Sequence, residues 1–181
     1  MNIEFLPVLI VEELRTLFDA DSQLSKMLPE MERASLSPQV RKAINRRREL
    51  EQNQSRSLVE ILARFDALPA GGQCHAMRGL LGEAEEVLRR ESGMYPARLE
   101  PRLLGMLRKA GHLRMATLKN LIAVAHLLQA HEIEKALNDC LSQEIEADRF
   151  VSALTEDMLR LMIANSPDET TNALDALERY A

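Results

Sequence analysis

Residues 7–33 read PVLIVEELRTLFDADSQLSKMLPEMER, and their spacing decides the fold class. Ile10, Leu14 and Leu17, then Leu24 and Leu28, recur in steps that keep them on one face of an α-helix. The position between Leu17 and Leu24 on that face is Asp21, a charge where the ladder calls for an apolar side chain. Pro29 predicts a local kink or end, because it lacks the N–H of the helical hydrogen bond and crowds the preceding turn. Neither this stretch nor any other alternates with period two for long enough to make a strand.

Working outward, Ser37-Pro38 opens a second helix, with a capping serine followed by proline at the first helical position. It is predicted to run to about Leu68, where Pro69-Ala70-Gly71-Gly72 breaks the chain. A shorter helix carries Cys74, Met77, Leu80, Leu81, Ala84 and Leu88, and Ser92-Gly93-Met94-Tyr95-Pro96 ends it. The next long helix is predicted from Glu100-Pro101 to about Gln129, on the ladder Leu104, Leu107, Leu118, Leu121 and Ala125. Ile133, Leu137, Leu141, Val151 and Leu154 mark another, extending to Ile163. Ser166-Pro167-Asp168-Glu169 is a capping box that predicts a last short helix, with Leu174, Leu177 and Tyr180 as its stripe. Four helices of roughly 25–30 residues with short connections are the length pattern of an all-α four-helix bundle. Residues 1–163 are expected to form that bundle, with the shorter helix inserted between its two hairpins. Residues 164–181 are expected to form an amphipathic helix packed on the bundle or on a second subunit.

Composition agrees with helix-on-helix packing. Aromatic residues are 3% of the chain and Trp is absent, so the core must be aliphatic and Met-rich rather than the β-branched and aromatic mixture of a sheet. The 46% hydrophobic and 28% charged fractions are those of a soluble globular domain. The net charge of -5 is mild. It is unevenly spread: residues 89–119 are rich in Arg and Lys, and the segment after His131 is acidic. Such asymmetry lets helices or subunits attract one another. Cys74 and Cys140 form no metal or redox pair motif. No basic leader with a long apolar run and no membrane-length apolar stretch is present, so a cytoplasmic protein without a membrane partner is expected.

Each long helix interrupts its ladder near the middle. Asp21 does so in the first; Arg47, Glu51 and Gln54 follow Val40 and Ile44 in the second. Gly111 and Arg114 lie between Leu107 and Leu118, and Glu144 lies between Leu141 and Val151. Interruptions at similar depth predict a polar layer inside the bundle, unless those faces turn to solvent. Buried charges cost several kcal/mol each unless paired or metal-bound. Two arrangements solve the problem: carboxylates and histidines around metal ions, or acids and bases that neutralise each other.

Three stretches carry a resemblance. Glu13-Leu14-Arg15-Thr16-Leu17-Phe18-Asp19-Ala20-Asp21-Ser22-Gln23-Leu24 is similar to a first helix reading E-L-x-D-L-Y-x-A-E-K-Q-L. Cys74-His75-Ala76-Met77-Arg78-Gly79-Leu80-Leu81-Gly82-Glu83 resembles C-x-A-M-x-G-L-I-x-E, and Leu141 to Asp148 resembles L-x-E-E-K-x-x-D. These are segments of the YciE/YciF-like ferritin-like proteins, and the likeness covers roughly residues 8–155. It implies a ferritin-like bundle with an extra short helix, a di-metal centre, frequent dimerisation and a loose link to stress response.

The implied ligand set is largely missing. Asp21 stands at a glutamate position. The family's H-x-x-E-T falls on Arg47, Arg48, Glu49, Leu50 and Glu51, losing the His and the Glu. Its E-H-Y-E falls on Gly111, His112, Leu113 and Arg114, losing both glutamates, and of its E-E pair Gln143 and Glu144 remain. Arginine stays protonated and has no acceptor atom, so it cannot ligate a metal. The metal site therefore reads as dismantled, with no cofactor expected, and Asp21, Arg47, Glu51, Arg114 and Glu144 are expected to form an internal ion-pair cluster. Arg114 is expected to reach Glu144 or Asp21.

The leading expectation is a non-enzymatic scaffold that acts by protein association, as a homodimer or with an unknown protein partner. The alternative is a reduced iron or manganese site built from Asp21, Glu144 and either Glu83 or His112. His112 lies beside the apolar stripe and reads more simply as a half-exposed side chain. His75, His126 and His131 read as surface residues, and the cysteines and methionines as core. Nucleic-acid binding through residues 89–119 lacks interleaved aromatics and a known motif.

Overall fold

The computed structural model describes residues 5–91 and 96–164. Five helices account for them: α1 (Leu6–Ala34), α2 (Pro38–Ala63), α3 (His75–Glu91), α4 (Pro96–Leu127) and α5 (His131–Ala164). No strand occurs among the described residues. Helices α1 and α2 form one hairpin and α4 and α5 the other. The hairpins pack through α1 on α4 and α2 on α5, and α3 lies across α1 and α4. This is a ferritin-like bundle with its short extra helix between the hairpins. The helix expected over 166–180 lies outside the described residues, as does most of the loop expected over 92–96. Among the described residues no helix is long and apolar enough to cross a membrane.

The ends of the helices differ from expectation where packing and turn geometry override local signals. Pro29 neither ends α1 nor shortens it, since the helix continues to Ala34. Leu24, Met27, Leu28 and Met31 are all buried around the proline, and their packing carries the chain past the one lost backbone bond. Helix α4 starts at Pro96 rather than near Pro101, because Leu99, Leu103 and Leu104 continue its buried stripe through that proline. Glu100 Oε1 accepts from the backbone N–H groups of Leu36 (2.8 Å) and Ser37 (2.5 Å), tying this turn to the start of α2. Ser37 caps α2 as expected, accepting from Val40 N.

Helix α2 stops at Ala63, five residues before Leu68. Asp66 has φ 51°, the Ala67 N–H reaches Leu62 O, and the Asp66 N–H reaches Ala63 O. That is a Schellman stop with aspartate in the left-handed position usually held by glycine. Gln129 (φ 55°) plays the same part after α4, where the Ala130 N–H reaches Ala125 O. Gly72 sits in the connection between α2 and α3. A Cβ there would lie 2.3 Å from the carbonyl carbon and oxygen of Arg15, so the loop can lie against α1 only with glycine at this point. Arg15 Nε donates to Leu68 O at 2.8 Å and ties down the same loop.

The core is in two parts. One gathers Leu24, Leu28, Ile44, Leu103, Leu107 and Val151 with the buried face of α3. The other gathers Ile10, Leu14, Leu58, Leu118, Leu121 and Leu137. The ladder interruptions lie between these two apolar clusters. Beyond Val151 no described residue of α5 is buried, and Leu159, Leu161 and Ile163 are exposed.

Candidate functional site

Asp21 of α1, Arg47, Glu51 and Gln54 of α2, Arg114 of α4 and Glu144 of α5 meet between the two apolar clusters. Each lies on the inner face of its helix, one or two turns from the neighbouring ladder leucines. None is more than 6% exposed. Arg114 is at the centre. Its Nε donates to Glu144 Oε1 at 2.7 Å, its Nη1 pairs with Asp21 Oδ1 and lies 3.4 Å from Glu51 Oε2, and its Nη2 donates to Gln54 Oε1. Arg47 Nη1 donates to Glu144 Oε2 at 2.6 Å, and its Nη2 pairs with Glu51 Oε1. Glu144 is thus held by both guanidiniums, one on each oxygen. Gln54 Nε2 reaches Cys140 O at 3.1 Å and Gln143 Oε1 at 3.3 Å, fastening α2 to α5.

Not every contact in the layer is an aligned hydrogen bond. Both Asp21 oxygens, both Glu51 oxygens, Arg47 Nε and Nη2, and Arg114 Nη1 are buried without one. Asp21 Oδ1, both Glu51 oxygens, Arg47 Nη2 and Arg114 Nη1 are held instead in charge pairs. Three carboxylates face two guanidiniums, so the layer has one negative charge in excess when all five groups are ionised.

The titration behaviour follows from that imbalance. Burial pushes the Glu51 carboxyl from 4.5 up to about 7, with Arg47 opposing the shift and Glu144 adding to it. For Glu144 burial also works upward, but Arg47 and Arg114 together outweigh it and hold the carboxyl below the usual range. Burial works against the charge of Arg47, yet Glu51 and Glu144 outweigh it and raise its pKa. Between Glu51 and Glu144, Glu51 is therefore the better seat for the proton that makes the layer neutral. Burial pushes the nearby Cys140 thiol up as well, away from reactive thiolate character.

Of the residues of a reduced metal site, the structure brings Asp21 and Glu144 together but leaves Glu83 and His112 apart from them. Asp21 and Glu144 both meet Arg114 in the layer. Glu83 is on the surface, paired with Lys109 at 2.7 Å. The His112 side chain is 59% exposed, with Nε2 3.4 Å from Asp148 Oδ1. Among the described residues no group of three or more His, Cys, Asp or Glu side chains is disposed to hold a metal ion. The donor chemistry does not fit a di-metal centre, because guanidiniums stand among the carboxylates and offer no lone pair. His75, His126 and His131 are exposed, and Cys74, Cys140, Met77, Met106 and Met115 are buried, whereas Met158 and Met162 are only partly covered.

Two features escaped the sequence reading. Gln54 was visible as a ladder interruption, but nothing in its position showed that it would accept from Arg114. Glu91 is 4% exposed and paired with Arg102 and Arg98. Its spacing from Ala84, Val87 and Leu88 on α3 is the signal that could have found it.

Beside the layer a cleft of about 140 Å³ opens between α2, α4 and α5, with Arg47, Glu144 and Gly111 among its lining residues. A Cβ on Gly111 would lie 3.4 Å from Glu144 Oε2 and 3.6 Å from Arg47 Nη1. Two further ion pairs flank the cleft, Arg46 with Glu146 at 2.7 Å and Arg108 with Asp148 at 2.8 Å.

The family described as "Domain of unknown function (DUF892)" matches residues 8–164. The fold is similar to that of the E. coli stress protein YciF, with a TM-score of 0.80 and 21% identity, over 87% of this chain and 99% of that one. YcfI of Rhodopseudomonas palustris, provisionally described as a structural protein, gives a TM-score of 0.77 at 24% identity, over 83% and 95% of the two chains. A protein of Xanthomonas campestris pv. campestris gives 0.68 at 16%, over 90% and 99%. No curated protein matches the chain.

Proposed function

The chain belongs to the DUF892 family, and from that premise we propose that it is a non-enzymatic ferritin-like scaffold acting by protein association. In this reading an Arg–carboxylate network stands where the resemblance places a di-metal centre. The observation that carries it is Arg114, 1% exposed, with its guanidinium against Asp21 and Glu144 from two other helices. A fixed cation at that point repels metal ions and occupies the carboxylates that would bind them. Association as a homodimer is supported by the exposed Leu159, Leu161 and Ile163 at the end of α5, which a second copy would cover. A stress-related role has weaker support, namely the description of YciF as a stress protein.

Elemental analysis of protein purified without chelator, together with light scattering, tests the proposal. Well under about one iron, manganese or zinc ion per chain and a mass of two chains are expected. About one or more ions per chain would overturn the metal-free reading. A one-chain mass throughout the micromolar range would overturn the dimer.

A further inference from the structure

The cleft beside Gly111 has a use that a purely structural layer does not require. We propose that it binds a small neutral molecule with a largely apolar body. Its walls include Leu50, Leu107 and Phe150, and Arg47 and Glu144 of the buried layer also line it. A volume of about 140 Å³ is close to that of an apolar cavity known to admit a benzene ring, about 150 Å³. The ligand is therefore of single-ring size. Phe150 already stacks under the Arg46 guanidinium, 4.9 Å from its ring centroid, and gives the cleft a firm aromatic wall.

Charge balance selects a neutral occupant. The three arginines that line the cleft are each matched by a lining carboxylate: Arg46 by Glu146, Arg108 by Asp148 and Arg47 by Glu144. An ion of either sign would be desolvated there without a free counter-charge. A compact uncharged ring with a largely apolar surface meets these conditions.

Amide chemical shifts of the full chain, titrated separately with benzyl alcohol, benzoate and benzylamine, test this. Benzyl alcohol should shift the amides of Gly111 and Ala147 saturably, and the two ions should bind at least about tenfold more weakly. Gly111→Val should weaken benzyl alcohol by about tenfold or more by filling the cleft. Ala147→Leu fills the same space from α5 and serves if the first variant is poorly folded. Absence of saturable shifts at these amides would overturn the proposal and leave a water-filled cleft. So would benzoate or benzylamine binding as tightly as benzyl alcohol, or an affinity unchanged in a folded filling variant.

Discussion

Arg114 meets Asp21, Glu144 and Gln54 with an almost wholly buried guanidinium. Arg114→Ala would leave three buried carboxylates facing Arg47 alone. Breaking a buried pair in this way costs about 3–5 kcal/mol, because the stranded charges have no solvent. Urea unfolding should show that loss, and an unchanged midpoint would mean that the pairing contributes nothing. Replacing Arg114 and Glu144 jointly by Met and Leu should cost much less, since it removes both signs of charge. Glu51 makes a different demand. It is surrounded by Arg47, Arg114, Glu144 and, through Arg114, Asp21. Its folded pKa of about 7 lies above the unfolded 4.5. The native state therefore holds a proton that the unfolded state has released. The resulting stability is complete below the unfolded value and is lost as pH rises to the folded one. Wild type should thus lose on the order of 3 kcal/mol relative to Glu51→Gln between about pH 4.5 and pH 7, and little more above. Parallel stability curves for the two proteins would contradict this. The helical period alone places these five charged residues at one depth. Which carboxylate each guanidinium grips depends on side-chain reach across the bundle, which no single ladder contains.

Among the elements, helix existence was legible, and so were the ends of α1, the Ser37 cap of α2 and the end of α5, whereas the stop of α2 and the start of α4 were not. The ladders of α1, α2, α4 and α5 are long enough for their period to decide the matter. The stops at Asp66 and Gln129 use side chains that rarely announce a left-handed turn, and the prolines at 29 and 101 announce ends that packing overrides. The α2–α3 connection is where a single element is most exposed to substitution. Gly72→Ala would drive a Cβ into the backbone of Arg15 and should destabilise by about 1–3 kcal/mol. Gly79, exposed on α3 with open space where a Cβ would stand, supplies the contrast. Gly79→Ala should stabilise by roughly 1 kcal/mol through helix propensity alone. Thermal melts of the two variants should move in opposite directions, and a shared direction would refute the packing argument for Gly72.

At the scale of the molecule, two apolar clusters are separated by a layer that spans α1, α2, α4 and α5. The bundle class followed from helix lengths and short connections, which leave few other ways to bury four amphipathic faces. The cleft was not legible, because it arises from Gly111, Leu50 and Phe150 on three different helices. The same separation gives the central claim its test. If ion pairs complete the core, metal ions have no differential affinity for the folded state. If a metal completes it, saturating metal at about 100 times its Kd would add about 2.7 kcal/mol. For a chain of this size that raises Tm by roughly 5–10 °C. The measurement is the Tm of protein stripped with chelator, then melted with and without excess manganese(II), and with iron(II) under exclusion of oxygen. The account predicts a change within about 1 °C, and a rise of about 5 °C or more with either ion would contradict it.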